Sequence, residues 1–171
     1  MALVLRRTVL FFVIVMAFAL LAAMAAHAAT RETVHFDGFA PGTIVVKTHE
    51  RRLYYVLAGE RALRFPVGVG RAGMQWAGAT RVAGKFVEPA WRAPRAINHG
   101  VLGPVIPGGS PHNPMGVAAL TLRGSEYAIH GTNNPASIGR FVSHGCIRMY
   151  NRDISKLFAL VPVGAPVIVE Q

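Results

Sequence analysis

The residues best suited to chemistry lie around the only cysteine of the chain. Cys146 follows His144 by two positions and His130 by sixteen. A thiol needs a nearby base to become an effective nucleophile at neutral pH, and an imidazole can provide it. Gly145 lets the backbone approach a substrate closely, so its amide and that of Cys146 can point at a developing oxyanion. The pattern indicates a cysteine–histidine site, in which we expect a thiolate paired with an imidazolium.

Spacing alone leaves two other interpretations open. The cysteine, the two histidines and His112 make up a set of four zinc ligands, although zinc sites of known type have closer paired spacings and carboxylates that orient the histidines. Such carboxylates are scarce here, since Asp153 is the only acidic residue between Glu126 and Glu170. A structural interpretation makes the same residues part of the core, but glycine-rich loops flank both histidines. We therefore favour nucleophilic catalysis, and we predict no metal and no organic cofactor.

Residues 68–73 spell G-x-G-x-x-G, the pattern of a dinucleotide-binding turn. That turn works only where it leads into a helix whose N-terminus faces the pyrophosphate. The following residues, Met74 to Gly78, are poor helix formers within a β-rich region. We predict that this segment does not bind a nucleotide.

The first 28 residues have the pattern of a secretory signal peptide. Arg6 and Arg7 form a basic start, an uncharged run extends from Val9 to Ala26, and Ala26-His27-Ala28 is a small-x-small cleavage site. An uncleaved anchor stays open, because the run reaches the lower limit for spanning a bilayer. Both alternatives predict export. An exported chain with one cysteine cannot form an internal disulfide, so the thiol becomes a candidate reactive group.

The charge balance is strongly basic. The 171 residues include 18 Lys or Arg and 8 Asp or Glu, a formal charge of +10, and 52% of them are hydrophobic. This content excludes a wholly disordered chain, and the length fits one domain. Outside the cell membrane the available polyanions are envelope polymers and lipid headgroups, so we predict no nucleic-acid partner. Membrane contact is expected only through the signal segment, if it is uncleaved.

Apolar runs between polar turns predict a mainly β fold. Residues 29–42 are expected to be a linker or a loose first strand. Residues 94–116 contain five prolines and five glycines, which predicts a long loop that forms a lid or a binding wall. Apolar residues recur at helical spacing over 154–161, with Asn151 as the expected N-cap and Pro162 as the stop. The predicted strands are 44–48, 53–57, 63–69, 80–87, 118–123, 126–130 and 166–170. Together these features predict a β-sandwich with one helix in its C-terminal half.

Two segments together resemble the signature of a known family. They are Ile129-His130-Gly131-Thr132-Asn133 and Ser143-His144-Gly145-Cys146-Ile147-Arg148-Met149-Tyr150-Asn151. They are similar to the catalytic signature of the L,D-transpeptidases, the YkuD-like family of peptidoglycan enzymes. The similarity extends to 107–109, 113–116 and 160–164. On this resemblance, residues 43–171 are identified as an L,D-transpeptidase catalytic domain.

The resemblance implies a β-sandwich of mixed sheets with the cysteine at the floor of a cleft, and an enzyme of the periplasm or extracytoplasmic cell wall. Its substrates would be peptidoglycan stem peptides. The cysteine would attack the third stem residue, commonly diaminopimelate, expel D-Ala and pass the acyl group to an amine, giving a 3→3 cross-link. An envelope lipoprotein or an outer-membrane protein is a further implied acceptor. Carboxypeptidase or link-hydrolase activity through the same thioester stays open, as does a non-catalytic wall-binding module.

The resemblance also assigns roles by position. Cys146 is implied to be the nucleophile and His130 the proton acceptor and donor. The Gly131 carbonyl is implied to orient His130, as a carboxylate does in other triads. Residues implied to shape the oxyanion site are His144 and Gly145, and those implied to brace the loop or bind substrate are Ser143, Arg148 and Asn133.

One stretch departs from the family pattern. Many members have Thr-Pro-x-Gly-x-Phe, whereas residues 79–86 here lack the proline. We therefore expect the loop that carries Trp76 and Trp91 to have a different shape, which bears on acceptor preference.

Overall fold

The computed structural model describes residues 32–171, so the predicted signal segment of residues 1–28 lies outside it. The strands are β1 Glu32–His35, β2 Ile44–Lys47, β3 Arg52–Leu57, β4 Arg61–Pro66, β5 Val69–Gly70, β6 Gly78–Val87, β7 Trp91–Arg92, β8 Val105–Ile106, β9 Ala118–Leu122, β10 Ala128–His130, β11 Phe141–Ser143, β12 Ile147–Arg148 and β13 Pro166–Glu170. The helices are α1, Asn151–Leu160, and two 3-10 helices, Arg95–Ile97 and Pro135–Ser137. In this range no helix is long and apolar enough to cross a bilayer.

Nine strands form one mixed sheet in the order β1-β4-β3-β2-β13-β6-β9-β10-β12. Strands β13 and β2 run parallel, as do β10 and β12, whereas β6 is antiparallel to both of its neighbours. Two small sheets pair β11 with β5 and β7 with β8. Each of the seven predicted strands overlaps an observed strand, but predicted strand 63–69 is divided between β4 and β5, which belong to different sheets, and β10 begins at Ala128 and not at residue 126. The predicted mainly β class with one helix in the C-terminal half is confirmed.

The long strand β6 joins the two halves of the large sheet. Its first residues pair with β13, its last residues pair with β9, and the register shifts between Val82 and Gly84. A β-bulge of this kind bends the strand and increases its twist. Apolar side chains from both halves and from α1 then form one buried cluster, which includes Ile44, Leu53, Leu120, Ile129, Ile154 and Leu157. The bent sheet and the shared core make the fold a sandwich.

Helix α1 closes this core but begins differently from the prediction. Its N-cap residue is Tyr150, and no side chain caps the helix. Asn151, the predicted N-cap, instead accepts a hydrogen bond at Oδ1 from the backbone N–H of Thr132, at 2.9 Å. At the other end, Lys85 Nζ donates to the carbonyl of Val161 at 2.7 Å, where a cation favours the helix dipole.

The segment that precedes β2 packs against the outer face of the sheet. Strand β1 adds to the sheet edge beside β4. Phe36 then stacks on Tyr54 with ring centroids 4.4 Å apart, and Phe39 stacks on Phe36 at 5.6 Å. These rings cover a second, smaller apolar cluster around Val45 and Val56.

The long Pro/Gly-rich loop is held together by one buried amide. Asn113 is 2% exposed. Its Nδ2 donates to the carbonyls of Pro89, at 2.8 Å, and Pro107, at 3.0 Å, while its Oδ1 accepts from the N–H of Met115 at 2.9 Å. A buried polar side chain that satisfies several backbone groups fixes a loop that has little regular structure of its own.

We predict that Asn113→Ala lowers the free energy of unfolding by about 3 kcal/mol, because it removes a buried side chain whose three part-buried hydrogen bonds satisfy backbone groups of Pro89, Pro107 and Met115. Urea unfolding measures the change. Asn98→Ala is the matched control, since half-buried Asn98 donates one solvent-exposed hydrogen bond, to the Val101 carbonyl. Its expected cost is below about 1 kcal/mol. Equal losses in the two variants would contradict the role of Asn113.

Candidate active site

A cleft of about 420 Å³ contains most of the predicted site residues. Cys146, His130, His144, Ser143 and Arg148 all line it. Its apolar wall comes from residues far apart in sequence, namely Met74, Trp91, Pro94, Ile97, Pro114 and Met115. The cleft therefore brings the cysteine and both histidines together beside the long loop.

Pairing between β10 and β12 sets the distance between the cysteine and the first histidine. The strands are parallel, with Ile129 opposite Ile147 and His130 opposite Arg148. Cys146 directly precedes β12, so this register puts it beside Ala128. Side chains alternate along a strand. The two isoleucines thus enter the core, where they are 0% and 1% exposed, while His130, Cys146 and Arg148 face the cleft.

His130 is held in one protonation state by its surroundings. It is 4% exposed, and Nδ1 lies 2.6 Å from the Gly131 carbonyl oxygen, which can only accept, so Nδ1 carries the proton. The pKa of His130 is lowered from 6.5 to about 4, mainly by burial and further by the charge of Arg148. The backbone carbonyls of Gly131, Met115 and Pro114 raise this pKa, but by less. At neutral pH the ring is uncharged, and the Nε2 lone pair is available as a base.

Cys146 is a neutral thiol in the same environment. Burial raises the pKa of the Cys146 thiol. A backbone hydrogen bond from Ala128 and the charge of Arg148 lower this pKa, but by less. The expected thiolate–imidazolium pair is therefore disfavoured at rest, because burial disfavours the charge on both partners. At neutral pH both side chains are therefore uncharged in the free site.

Ser143 braces the turn that carries the cysteine. Its Oγ donates to the Cys146 carbonyl at 2.6 Å and accepts from the Gly145 N–H at 3.1 Å. The Gly145 amide is thus engaged inside the turn, and its expected direction towards an oxyanion is wrong. Gly145 has φ +124°, and a Cβ there would overlap the Tyr127 ring. Only glycine fits this position without strain.

Trp76 supports the same turn from outside. Its Nε1 donates to the Gly145 carbonyl at 2.9 Å, and its ring stacks on Tyr127 with centroids 5.5 Å apart. The loop before β6 therefore supports the turn that carries Cys146, while Trp91, beyond β6, forms part of the cleft wall.

A tightly packed junction behind His130 holds the Gly131 carbonyl in place. Gly116, Gly131 and Thr132 meet Asn151 there. A Cβ on either glycine would overlap Asn151 Oδ1, the atom that accepts the Thr132 N–H. The end of β10, the long loop and the start of α1 are thereby fixed together.

The cleft is electropositive. Arg148 lines it, and the Arg148 Nε atom is buried without a hydrogen-bond partner in the described range. Burial, followed by the charges of Arg71 and Arg148, lowers the pKa of His144. Arg92 adds a further cation to the lining. Such a surface attracts carboxylates.

Some predicted residues lie outside the cleft lining. Exposed Asn133 donates to the Pro111 carbonyl at 3.2 Å and so ties two loops together. His112 is exposed, and within residues 32–171 no three His, Cys, Asp or Glu side chains are grouped to hold a metal ion. After Gly73 the next element is β6, not a helix, which confirms that residues 68–73 are not a dinucleotide turn.

Sequence reasoning did not identify Trp91, Met115 or Glu126 as cleft residues. Glu126 could have been found, because it shares the parity of His130 in the predicted strand 126–130, although the structure has it in the bend just before β10. Trp91 lies in the two-residue strand β7, just before the long loop, and Met115 lies near the end of that loop; neither position belongs to a segment with a periodic signal.

Comparison with known proteins decides the family. A family model described as the L,D-transpeptidase catalytic domain matches residues 41–169. The chain belongs to this family. The protein named Probable L,D-transpeptidase YbiS, from Escherichia coli K12, is 43% identical over 136 residues, which cover 72% of this chain and 43% of that protein. Probable L,D-transpeptidase ErfK/SrfK from Salmonella typhimurium is 43% identical over 135 residues, 72% of this chain and 42% of that one. The chain thus spans less than half the length of these relatives.

Solved L,D-transpeptidases share the fold. The catalytic domain of the E. faecium enzyme, acylated by ertapenem, has a TM-score of 0.60 at 21% identity and covers 78% of this chain and 100% of that one. L,D-transpeptidase 3 of Mycobacterium tuberculosis, with a faropenem-derived adduct, has a TM-score of 0.61 at 17% identity, over 75% of this chain and 60% of that one. At these identities the likeness establishes the L,D-transpeptidase fold.

The buried neutral histidine predicts how the stability of this L,D-transpeptidase domain depends on pH. Between pH 6.5 and pH 4 the unfolded chain binds a proton at His130 that the folded chain does not, because the folded pKa is about 4. Stability should therefore fall on acidification through this window, by about 3 kcal/mol from this residue.

Urea unfolding at pH 7 and pH 4 measures the loss. His130→Gln should lose about 3 kcal/mol less than the wild type between the two pH values. His112→Gln, at an exposed histidine, should behave as the wild type does. If His130→Gln and the wild type lose the same free energy of unfolding between pH 7 and pH 4, the result would contradict a buried neutral His130.

Proposed function

We propose that this chain is an exported peptidoglycan L,D-transpeptidase that works through a Cys146 thioester. The observation that carries the proposal is the neutral His130, with Nδ1–H bonded to the Gly131 carbonyl, in the same cleft as the thiol. Membership of the L,D-transpeptidase family gives the reaction class. The predicted signal segment gives the location, the periplasm or the extracytoplasmic cell wall.

In the first half-reaction Cys146 Sγ attacks the carbonyl carbon of the third stem residue while His130 Nε2 takes the thiol proton. The tetrahedral intermediate collapses with cleavage of the bond to D-Ala, whose leaving amine receives that proton from the imidazolium. The product is a thioester and free D-Ala. Charge develops on sulfur only as the proton leaves, which suits a pair that burial keeps neutral at rest.

In the second half-reaction an acceptor amine attacks the thioester carbonyl. His130 takes a proton from the attacking nitrogen and returns one to the departing sulfur, so the enzyme is regenerated and a new amide bond forms. The Gly145 amide is bonded to Ser143, so we assign oxyanion stabilisation to the Cys146 amide and to the positive potential of Arg148.

The cleft charge also favours this class of substrate. Stem peptides carry carboxylates, and Arg148 and Arg92 line the cleft. The Arg148 Nε donor, buried without a partner in the described residues, is satisfied if a substrate oxygen enters.

We predict an acyl adduct on Cys146 when the purified full chain is incubated with a tetrapeptide stem. Intact mass measures the adduct, and D-Ala release should accompany it. Cys146→Ala should abolish the adduct, turnover and labelling by a carbapenem. His130→Ala should lower turnover at least about 100-fold but retain slow carbapenem labelling, because it removes the base and leaves the thiol.

His112→Ala is the matched control, because this exposed histidine lies outside the cleft lining, and it should keep wild-type turnover. Muropeptide masses then define the outcome: cross-linked dimers establish transfer, whereas trimmed tripeptides alone identify a carboxypeptidase. Turnover by Cys146→Ala would contradict the cysteine mechanism.

A further inference from the structure

Glu126 is the one acidic residue among those that line the cleft of the described structure. The other charged groups there are cationic, namely Arg92 and Arg148, with titratable His144 beside them. The whole chain has only 8 acidic residues against 18 basic ones. A carboxylate in this position therefore opposes the charge of its surroundings.

The backbone fixes where Glu126 sits. It lies two residues before Ala128, which the β10–β12 register puts beside Cys146. Glu126 itself lies in the bend that leads into β10, and its side chain lines the cleft. His130 lies two residues beyond Ala128, so His130 and Glu126 follow and precede, along the chain, the residue that sits beside the thiol, and both line the cleft. The Leu122 N–H bonds to the Tyr127 carbonyl at 3.0 Å, which anchors this segment to the sheet.

The Glu126 carboxylate is available to a ligand. Within residues 32–171 it takes part in no ion pair and no side-chain hydrogen bond, although two arginines line the same cleft. The side chain is exposed. An ionised carboxylate only accepts hydrogen bonds, and its strongest partners are cations with N–H donors.

We propose that Glu126 binds a primary ammonium group of the peptide substrate beside the reacting carbonyl. The inference rests on the proposed function, in which both substrates carry such a group. One is the side-chain ammonium of a diamino acid at the third position of the donor stem. The other is the amine of the acceptor, which is an ammonium ion at neutral pH before it reacts. In a cleft of positive potential, Glu126 supplies the negative charge that admits either of them.

The test compares Glu126→Gln, which keeps the shape and removes the charge, with Glu60→Gln. Glu60 is an exposed acid in the turn between β3 and β4, outside the cleft lining. Both changes affect exposed side chains, so both variants should fold. Thermal unfolding and carbapenem labelling of Cys146 check that each variant has an intact site.

The first arm measures thioester formation with a tetrapeptide donor whose third residue is a diamino acid, with its side-chain amine either free or acetylated. The second arm measures cross-linking as the concentration of a tripeptide acceptor is varied. We expect Glu126→Gln to raise KM about fivefold in the arm whose ammonium binds there, with kcat changed less than about twofold. In the donor arm the acetylated peptide should show no difference between variant and wild type.

A KM effect in the donor arm identifies the third residue as the source of the ammonium, and one in the acceptor arm identifies the acceptor. If Glu126→Gln has the same KM as Glu60→Gln and the wild type in both arms, and Cys146 is acylated normally, this inference alone is overturned. Failure of the wild type to form any Cys146 adduct overturns the proposed function, and this inference with it.

Discussion

The hydrogen bond from His130 Nδ1 to the Gly131 carbonyl, at 2.6 Å, is the contact on which the site depends. A carbonyl accepts only, so the bond fixes the tautomer and leaves Nε2 free to take a proton. In many triads a carboxylate does this work and also stabilises the imidazolium. A neutral carbonyl orients the ring with far less stabilisation of its charge. Burial, with a further contribution from the Arg148 charge, therefore lowers the pKa of His130 to about 4 even though the carbonyl hydrogen bond opposes it.

The sandwich and its loops serve to hold that contact and the thiol in register. The parallel β10–β12 pair sets the spacing of the two side chains along one face. Gly131 packs against Asn151 at the start of the helix, and Ser143 bonds to the turn that carries Cys146. Each of these partners comes from a different element, so the site requires the whole core to be folded. A binding module without chemistry would not need this arrangement of base, orienting carbonyl and thiol.

The sequence predicts most of the strands because one-sided burial leaves an alternating pattern, as in 63–69, and it predicts the helix from its 3.6-residue period. It identifies Cys146 and His130 because their residue types and glycine neighbours are unusual. It does not reveal that β10 pairs with β12, since strand pairing is a long-range property. For the same reason the sequence does not reveal that the Gly145 amide bonds to Ser143 or that the thiol and the imidazole are both neutral at rest. Both depend on burial and on Ser143, which become apparent only when the chain is folded.

Nitrogen-15 NMR of the labelled His130 ring tests the central claim most directly, because it reports the protonation of each ring nitrogen. The account predicts a neutral ring with the proton on Nδ1 throughout pH 5.5 to 8, and protonation only as the pH approaches about 4. A His130 that is imidazolium at pH 7, or that carries its single proton on Nε2, would contradict it.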